Sequence, residues 1–240
     1  MAIKINFKKN ISEKLVKNYV LFSDENFKIM GLNSLPLQKH ASNINKTVDN
    51  NKIKDKNFLL FDLSPNQKIL LVKLKKDTSS LEIEKIGAKF YDYIKSCSIY
   101  SSTFFENNFK IINAKNKNFL VEFIHGVKLK SYIFEKYKSK KKHRDFEISI
   151  STKKNIKEFD KNKRYNSLLE GTNLTKDLVS EPGNILHPDE YAKRLSQLRK
   201  LGLKVNIFDK RKLKKLGMNA LLGVGQGSIR GSYLVTMEWN

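Results

Sequence analysis

The chain has 240 residues, of which 47 are basic and 24 acidic, so its formal net charge is +23. Hydrophobic residues make up 40% and include 15 Phe and 9 Tyr, enough to build a core, which excludes wholesale disorder. The single cysteine, Cys97, excludes an intramolecular disulfide framework and a cysteine-based zinc module, and is typical of a reducing compartment.

The pattern of apolar residues predicts strands and helices that alternate along the chain, which indicates an α/β fold. Apolar runs bounded by turn-forming residues predict strands at 4–7, 19–22, 58–63, 68–75, 109–113, 146–151, 203–208 and 232–239. Apolar residues at helical spacing predict helices at 81–94, 119–137, 161–180, 188–200 and 210–216. The polar segment 23–57 is expected to hold loops and connections.

The order of these elements predicts three parts. An N-terminal α/β domain spans 1–151, a charged connection and linker helix span 152–180, and a second α/β unit spans 181–240. Because an α/β sheet needs both faces covered and no helix follows the last predicted strand, the second unit is expected to be incomplete.

The positive charge is spread evenly and is carried mainly by lysine. Residues 1–180 carry a net charge of +17 and residues 181–240 one of +6, and six of the 47 basic residues are arginine. Arginine is the residue suited to bidentate phosphate contacts. This favours a solvated lysine-rich surface, with DNA binding left open and the run 136–144 as the best candidate patch.

No segment of the sequence is typical of a membrane or secreted protein. The longest apolar runs, 58–61 and 69–72, are far shorter than the roughly 20 residues that cross a bilayer. The first ten residues lack the apolar run of a signal peptide. We therefore expect a cytoplasmic protein with no membrane partner.

The residues that could carry chemistry are scattered. The histidines show no metal-ligand spacing: His125 is expected to be structural, His187 to cap a helix, and His40 and His143 are not assigned. Cys97 has no evident histidine partner and is expected to be a spectator. The glycine-rich stretch 223–228 lacks the pattern of a nucleotide-binding loop and is expected to form a tight turn. Candidate carboxylates that form no evident two-metal group are Asp160, Asp177, Glu181, Asp189, Glu190 and Asp209.

Two stretches of the chain resemble the leucyl aminopeptidase family, also called the cytosol aminopeptidases. Residues 175–188 (TKDLVSEPGNILHP) look like the signature where the family's linker helix enters its catalytic domain. Residues 216–228 (LGMNALLGVGQGS) look like its glycine-rich turn, followed as in the family by a strand at 233–239. A weaker match, 126–138, is similar to the last helix of the family's N-terminal domain. Ser180 and His187 depart from the residues that many members carry, Asn and Thr.

The resemblance implies a macro-like mixed-sheet N-terminal domain, a linker helix and the start of an α/β metallo-aminopeptidase domain. In the family, two divalent metal ions, Mn or Zn, activate a water molecule that releases N-terminal amino acids from peptides. The family's metal-binding and catalytic residues follow the last strand predicted here. We therefore assign no catalytic, cofactor-binding or metal-binding residue, and expect a truncated chain that is inactive alone.

Family resemblance also implies partners. Members form hexamers, so a homo-oligomer is expected, and some bacterial members bind DNA. The sequence therefore leaves a nucleic-acid-binding module or an assembly module open as alternatives to a peptidase.

Overall fold

The computed structural model describes the chain in six stretches, residues 3–9, 11–51, 56–113, 116–140, 144–152 and 163–239. Contacts divide the chain into two compact units, residues 1–173 and residues 174–240. None of the helices in the described stretches combines the length and apolarity needed to cross a membrane.

The first unit is built on a mixed six-stranded sheet. Its strands are β1 (Ile3–Lys8), β2 (Asn18–Ser23), β3 (Phe58–Ser64), β4 (Gln67–Lys73), β5 (Ser101–Phe105) and β6 (Phe146–Ser151). Their order is β1-β6-β5-β2-β4-β3, and every neighbouring pair is parallel except the β3–β4 hairpin. The predicted α/β class is confirmed.

Helices cover both faces of this sheet. They are α1 (Ala41–Asn51), α2 (Ser80–Ser96), α3 (Glu106–Asn113) and α4 (Phe119–Lys130). Successive strand residues point to opposite faces, so Val20 and Phe22 of β2 join the core that contains α2 and α4. Tyr19 and Leu21 join a second core, on the side of α1. Burial on both faces explains the continuous apolar runs of β2 and β4.

Three expectations for this unit are wrong. The strand expected at 109–113 is helix α3, and the strand that pairs with β2 and β6 is β5, just before it. The expected loop region 23–57 contains α1, whose buried Ile44 and Val48 are one helical turn apart. The helix expected to reach residue 137 ends at Lys130.

A close backbone contact of the first unit lies between α2 and α4. A Cβ atom placed on Gly87 would collide with the carbonyl oxygen of Phe123, and one on Gly126 would collide with the carbonyl oxygen of Glu84. Each glycine therefore leaves the space that the opposite helix occupies.

The second unit is a small α/β structure. Its strands β7 (Lys204–Phe208) and β8 (Leu234–Glu238) pair antiparallel, as the strands expected at 203–208 and 232–239 anticipate. Helix α5 (Lys163–Ser180) contains the boundary between the two units, and α6 (Pro188–Ser196), α7 (Lys210–Lys215) and α8 (Asn219–Gly225) follow. The predicted division into 1–151, 152–180 and 181–240 stays a prediction, and residues 153–162 of the expected connection lie outside the described residues.

The glycine contact makes a prediction about stability. We expect Gly87→Ala and Gly126→Ala each to lower the free energy of unfolding by about 1–3 kcal/mol, because the added Cβ forces the helices apart. Urea unfolding followed by circular dichroism measures the change. The matched control is Gly171→Ala in α5, where a Cβ meets no atom within 4 Å. This control should raise stability, by up to about 1 kcal/mol, because alanine favours a helix. Equal stabilities of Gly126→Ala and Gly171→Ala would contradict the close contact.

Candidate functional site

The start of α6 in the second unit is held by a charged cluster around Arg194. Its Nη1 donates to Glu181 Oε1 at 2.9 Å, and its Nε donates to Glu190 Oε1 at 3.1 Å. The side chain of Glu181 is 1% exposed. Hydrogen bonds from Arg194 lower the pKa of Glu190, and those with Glu181 and Glu190 raise the pKa of Arg194. The cluster fixes the segment that leads into α6.

A second cluster joins the start of α6 to the residue before β8. The hydroxyl of Tyr233 donates to Asp189 Oδ1 at 2.8 Å, and Asp189 Oδ2 lies 3.2 Å from His187 Nδ1. The same Nδ1 accepts from the backbone N–H of Glu190 at 3.4 Å, so His187 caps α6. The hydrogen bond between Tyr233 and Asp189 lowers the pKa of Asp189 and raises the pKa of Tyr233.

These clusters do not form a metal site. Over the described parts of the chain, no three His, Cys, Asp or Glu side chains lie together so that they could hold a metal ion. The carboxylates of Glu181, Asp189 and Glu190 accept hydrogen bonds from Arg194 and Tyr233 instead. The described residues therefore do not fit a two-metal centre.

His125 belongs to a buried polar network in the first unit. Its Nδ1 lies 3.2 Å from Glu84 Oε1, and its ring meets the ring of Tyr165 edge-on, with centroids 5.1 Å apart. The buried carboxylate of Glu122 accepts from Tyr165 Oη at 2.9 Å and from Asn116 Nδ2 at 2.8 Å. Burial, followed by the hydrogen bond to Glu122, raises the pKa of Tyr165 to about 12. The network ties α4 to α2 and to the start of α5.

The other candidate residues lie apart from one another. His40 is exposed in a 3₁₀ turn, Cys97 is half-buried at the end of α2, and Asp177 lies in α5. Asp209 caps α7 by accepting from the backbone N–H of Lys212 at 2.9 Å. His143 and Asp160 lie outside the described residues.

The glycine-rich stretch differs from what the sequence predicts, and the basic run is described only in part. Gly223 and Gly225, expected in a tight turn, belong to helix α8, which the preceding Asn-Ala-Leu-Leu favours. Of the basic run 136–144, residues 141–143 lie outside the described residues. A basic group outside this run lies on α7, where five cationic side chains are exposed, namely Lys210, Arg211, Lys212, Lys214 and Lys215.

Some of these partners could have been found from the sequence. Glu190 and Arg194 are four residues apart on a predicted helix, which is the spacing of a helical ion pair. The pairing of Tyr165 with Glu122, across 43 residues, leaves no local signal.

Comparison with known proteins finds similarity to the cytosol aminopeptidases. The model of the cytosol aminopeptidase family's catalytic domain matches residues 173–240. A probable cytosol aminopeptidase of Phytoplasma mali is 46% identical over 127 residues, which are 50% of this chain and 26% of the relative. One of Bradyrhizobium sp. is 44% identical over 119 residues, which are 48% of this chain and 24% of the relative. The chain thus matches about a quarter of the length of these curated relatives.

Solved structures show the same fold over nearly the whole chain. A mutant of tomato leucine aminopeptidase matches with a TM-score of 0.72 at 22% identity, over 98% of this chain and 50% of that one. A bottromycin maturation enzyme in complex with Mn matches with a TM-score of 0.60 at 14% identity, over 94% of this chain and 45% of that one. At these identities the likeness establishes the fold.

The hydrogen bond from Tyr233 makes a prediction about pH. We expect Tyr233→Phe to raise the pKa of Asp189 toward its ordinary value of about 3.9. A lowered carboxyl pKa stabilises the fold above the ordinary value, and this stabilisation is lost as the pH falls through the lowered pKa. Tyr233→Phe should therefore be less stable than the parent at neutral pH, with a difference that shrinks below about pH 4.

A ¹³C NMR titration of the Asp189 carboxyl measures this shift directly, and urea unfolding at several pH values measures its effect on stability. Tyr191→Phe is the matched control, because Tyr191 is an exposed tyrosine of α6, the helix that contains Asp189. An unchanged Asp189 pKa in Tyr233→Phe would contradict the role given to the hydroxyl.

Proposed function

We propose that this chain, whose likeness to the leucyl (cytosol) aminopeptidase family is supported by sequence and fold, is part of a peptidase that releases N-terminal amino acids from peptides. The observation that carries the proposal is the match of residues 173–240 to the family's catalytic domain. The motifs at 175–188 and 216–228, which suggested the family, both lie within this match.

The proposed reaction is hydrolysis by a water molecule activated by two divalent metal ions, Mn or Zn. The bottromycin maturation enzyme with a similar fold is a complex with Mn. By the family resemblance, the metal-binding and catalytic residues are expected after the last strand of this chain, so we propose that residues 1–240 carry none of them and have no peptidase activity by themselves. Residues 173–240 are proposed to form the beginning of the catalytic domain, in which the Arg194 cluster fixes the segment that leads into α6.

The proposed partners follow from the same family. Peptides are the proposed substrates, and the proposed assembly is a homo-oligomer, a hexamer. The proposed location is the cytoplasm.

The proposal predicts a negative result for these residues alone. The purified 240-residue chain should give no release of p-nitroaniline from L-leucine p-nitroanilide with added Mn²⁺, because it lacks the groups that hold the metal. A longer product of the same gene should turn the substrate over, and EDTA should abolish that turnover. Activity of the 240-residue chain that EDTA removes, and that a mock purification lacks, would contradict the first statement. An inactive longer product would contradict the peptidase proposal.

One observation favours a second function, nucleic-acid binding. The five cationic side chains of α7 are exposed on one short helix, anchored by the fully buried Leu213. A dense group of cations gains free energy by releasing counterions from phosphates.

For this second function, a salt titration of duplex DNA binding is decisive. Lys214→Gln with Lys215→Gln should reduce the slope of log K against log salt by about 2, because about 0.9 is lost with each phosphate contact. The control, Lys39→Gln with Lys46→Gln, removes the same charge from exposed positions of the first unit and should leave the slope unchanged. Equal slopes for both double variants, or no binding at low salt, would contradict nucleic-acid binding by α7 and indicate that its basic residues are only a solvated surface.

A further inference from the structure

A cavity of about 670 Å³ opens in the first unit. It is formed by the residues that follow β2, the residues that follow β4, and Ile112 of α3, Asn116 of the approach to α4 and Phe119 of α4. The carboxyl ends of parallel strands are where open α/β sheets bind ligands, and its volume lies in the range of small-molecule pockets. Position and size therefore indicate a binding site.

The floor of the cavity is apolar. Leu74, Ile83 and Phe119 line it and are 1–4% exposed. Met30 and Ile112 line it and are half-buried. Water on such a floor finds few hydrogen-bond partners, so an apolar group that displaces it gains free energy.

The rim of the cavity carries both signs of charge. Asp24, Glu25 and Asp77 supply carboxylates, and Lys75 and Lys76 supply ammonium groups. In the described contacts, Asp24 and Glu25 each accept hydrogen bonds at one carboxylate oxygen. Asp24 Oδ1 accepts from two backbone N–H groups of its own turn, and Glu25 Oε1 accepts from the N–H of Lys76 at 3.0 Å. The Asp24 bonds shape the first loop and the Glu25 bond joins it to the second before a ligand arrives, which reduces the cost of binding.

The rim does not suit a phosphate. The first turn of α2, which would attract an anion, is already occupied, because Glu82 Oε2 accepts from the backbone N–H and the Oγ of Ser79. The hydrogen bonds from Ser79 lower the pKa of Glu82, so this carboxyl stays negative. Among the described residues of the rim, three carboxylates also outnumber two ammonium groups. The charges therefore suit a ligand that is itself a zwitterion.

We propose that this cavity binds a zwitterion with an apolar side chain, either a free amino acid such as leucine or a short apolar peptide. The ligand's ammonium group is held by the rim carboxylates, its carboxylate by Lys75 and Lys76, and its side chain by the floor of Leu74, Ile83 and Phe119. This binding requires neither a metal ion nor peptidase activity, so it stands independently of the proposed function.

Methyl NMR of the 240-residue chain tests the proposal. Titration with L-leucine should shift the methyl signals of Met30, Ile83 and Ile112, which line the cavity, with a Kd on the order of 1 mM. The methyl signals of Ile44, in the core on the other face of the sheet, should not move. L-leucyl-L-leucine is the second probe, and the tighter of the two distinguishes a peptide from an amino acid.

Two rim variants test the charges separately. Lys75→Gln should weaken L-leucine and 4-methylpentanoate by about two- to fivefold and leave isopentylamine unchanged, because only the first two carry a carboxylate. Asp77→Asn should weaken L-leucine and isopentylamine to the same degree and leave 4-methylpentanoate unchanged. Lys95→Gln, an exposed lysine at the end of α2 outside the cavity, is the control and should change none of the three.

Three results would overturn the proposal. One is the absence of shifts at the cavity methyl groups at saturating leucine concentrations. Another is equal affinity of every variant for all three probes, which would reduce the cavity to an unselective apolar pocket. A third is tighter binding of adenosine monophosphate than of leucine at the same methyl groups, which would assign the cavity to phosphate-bearing ligands.

Discussion

The first unit depends on the close approach of α2 and α4 at Gly87 and Gly126. With no Cβ between the helices, Phe90 of α2 and Phe123 of α4 pack together over Phe104 of β5, with ring centroids 5.2–5.9 Å apart. The same approach positions the polar network, because His125 precedes Gly126 and contacts Glu84, whose carbonyl oxygen faces Gly126. One backbone contact thus fixes both an aromatic core and the hydrogen bonds beside it.

The second unit is organised differently. Among its described residues, the buried hydrophobic side chains are Ala192, Val205 and Leu213. Charged hydrogen bonds supplement this small core. Arg194 joins the residues before α6 to that helix, and Tyr233, the residue before β8, joins that strand to Asp189. Because a hydrogen bond to a charged group stabilises more than one between neutral groups, these side chains can define a structure that few apolar contacts support.

The sequence predicts strands and helices best where the apolar residues recur at a spacing that fits only one of the two. The alternating and continuous apolar runs of β3, β4, β6, β7 and β8 identify strands, but the run around Phe109 fits a strand or a helix equally well, and its tertiary setting decides for helix α3. The sequence does not predict helix α1, because its two buried residues, Ile44 and Val48, stand among polar residues and form only a weak helical pattern of apolar side chains. The family motifs are local and therefore visible. The cavity cannot be seen in the sequence, because the segments that line it after β4 and near α4 lie some 50 and 90 residues after the segment that follows β2. Only the order of the strands in the sheet brings them together.

That sheet order also constrains how the protein is made. Strand β1 pairs with β6 and with no other described strand, and their partners in register are separated by 143 residues. A ribosome that synthesises the chain from its amino end therefore exposes β1 long before its partner has been translated. Such long-range pairing is slow and leaves an open strand edge in the meantime. The polar and charged residues Lys4, Asn6 and Lys8, which alternate with the apolar ones on β1, keep the waiting strand from pairing with other nascent chains.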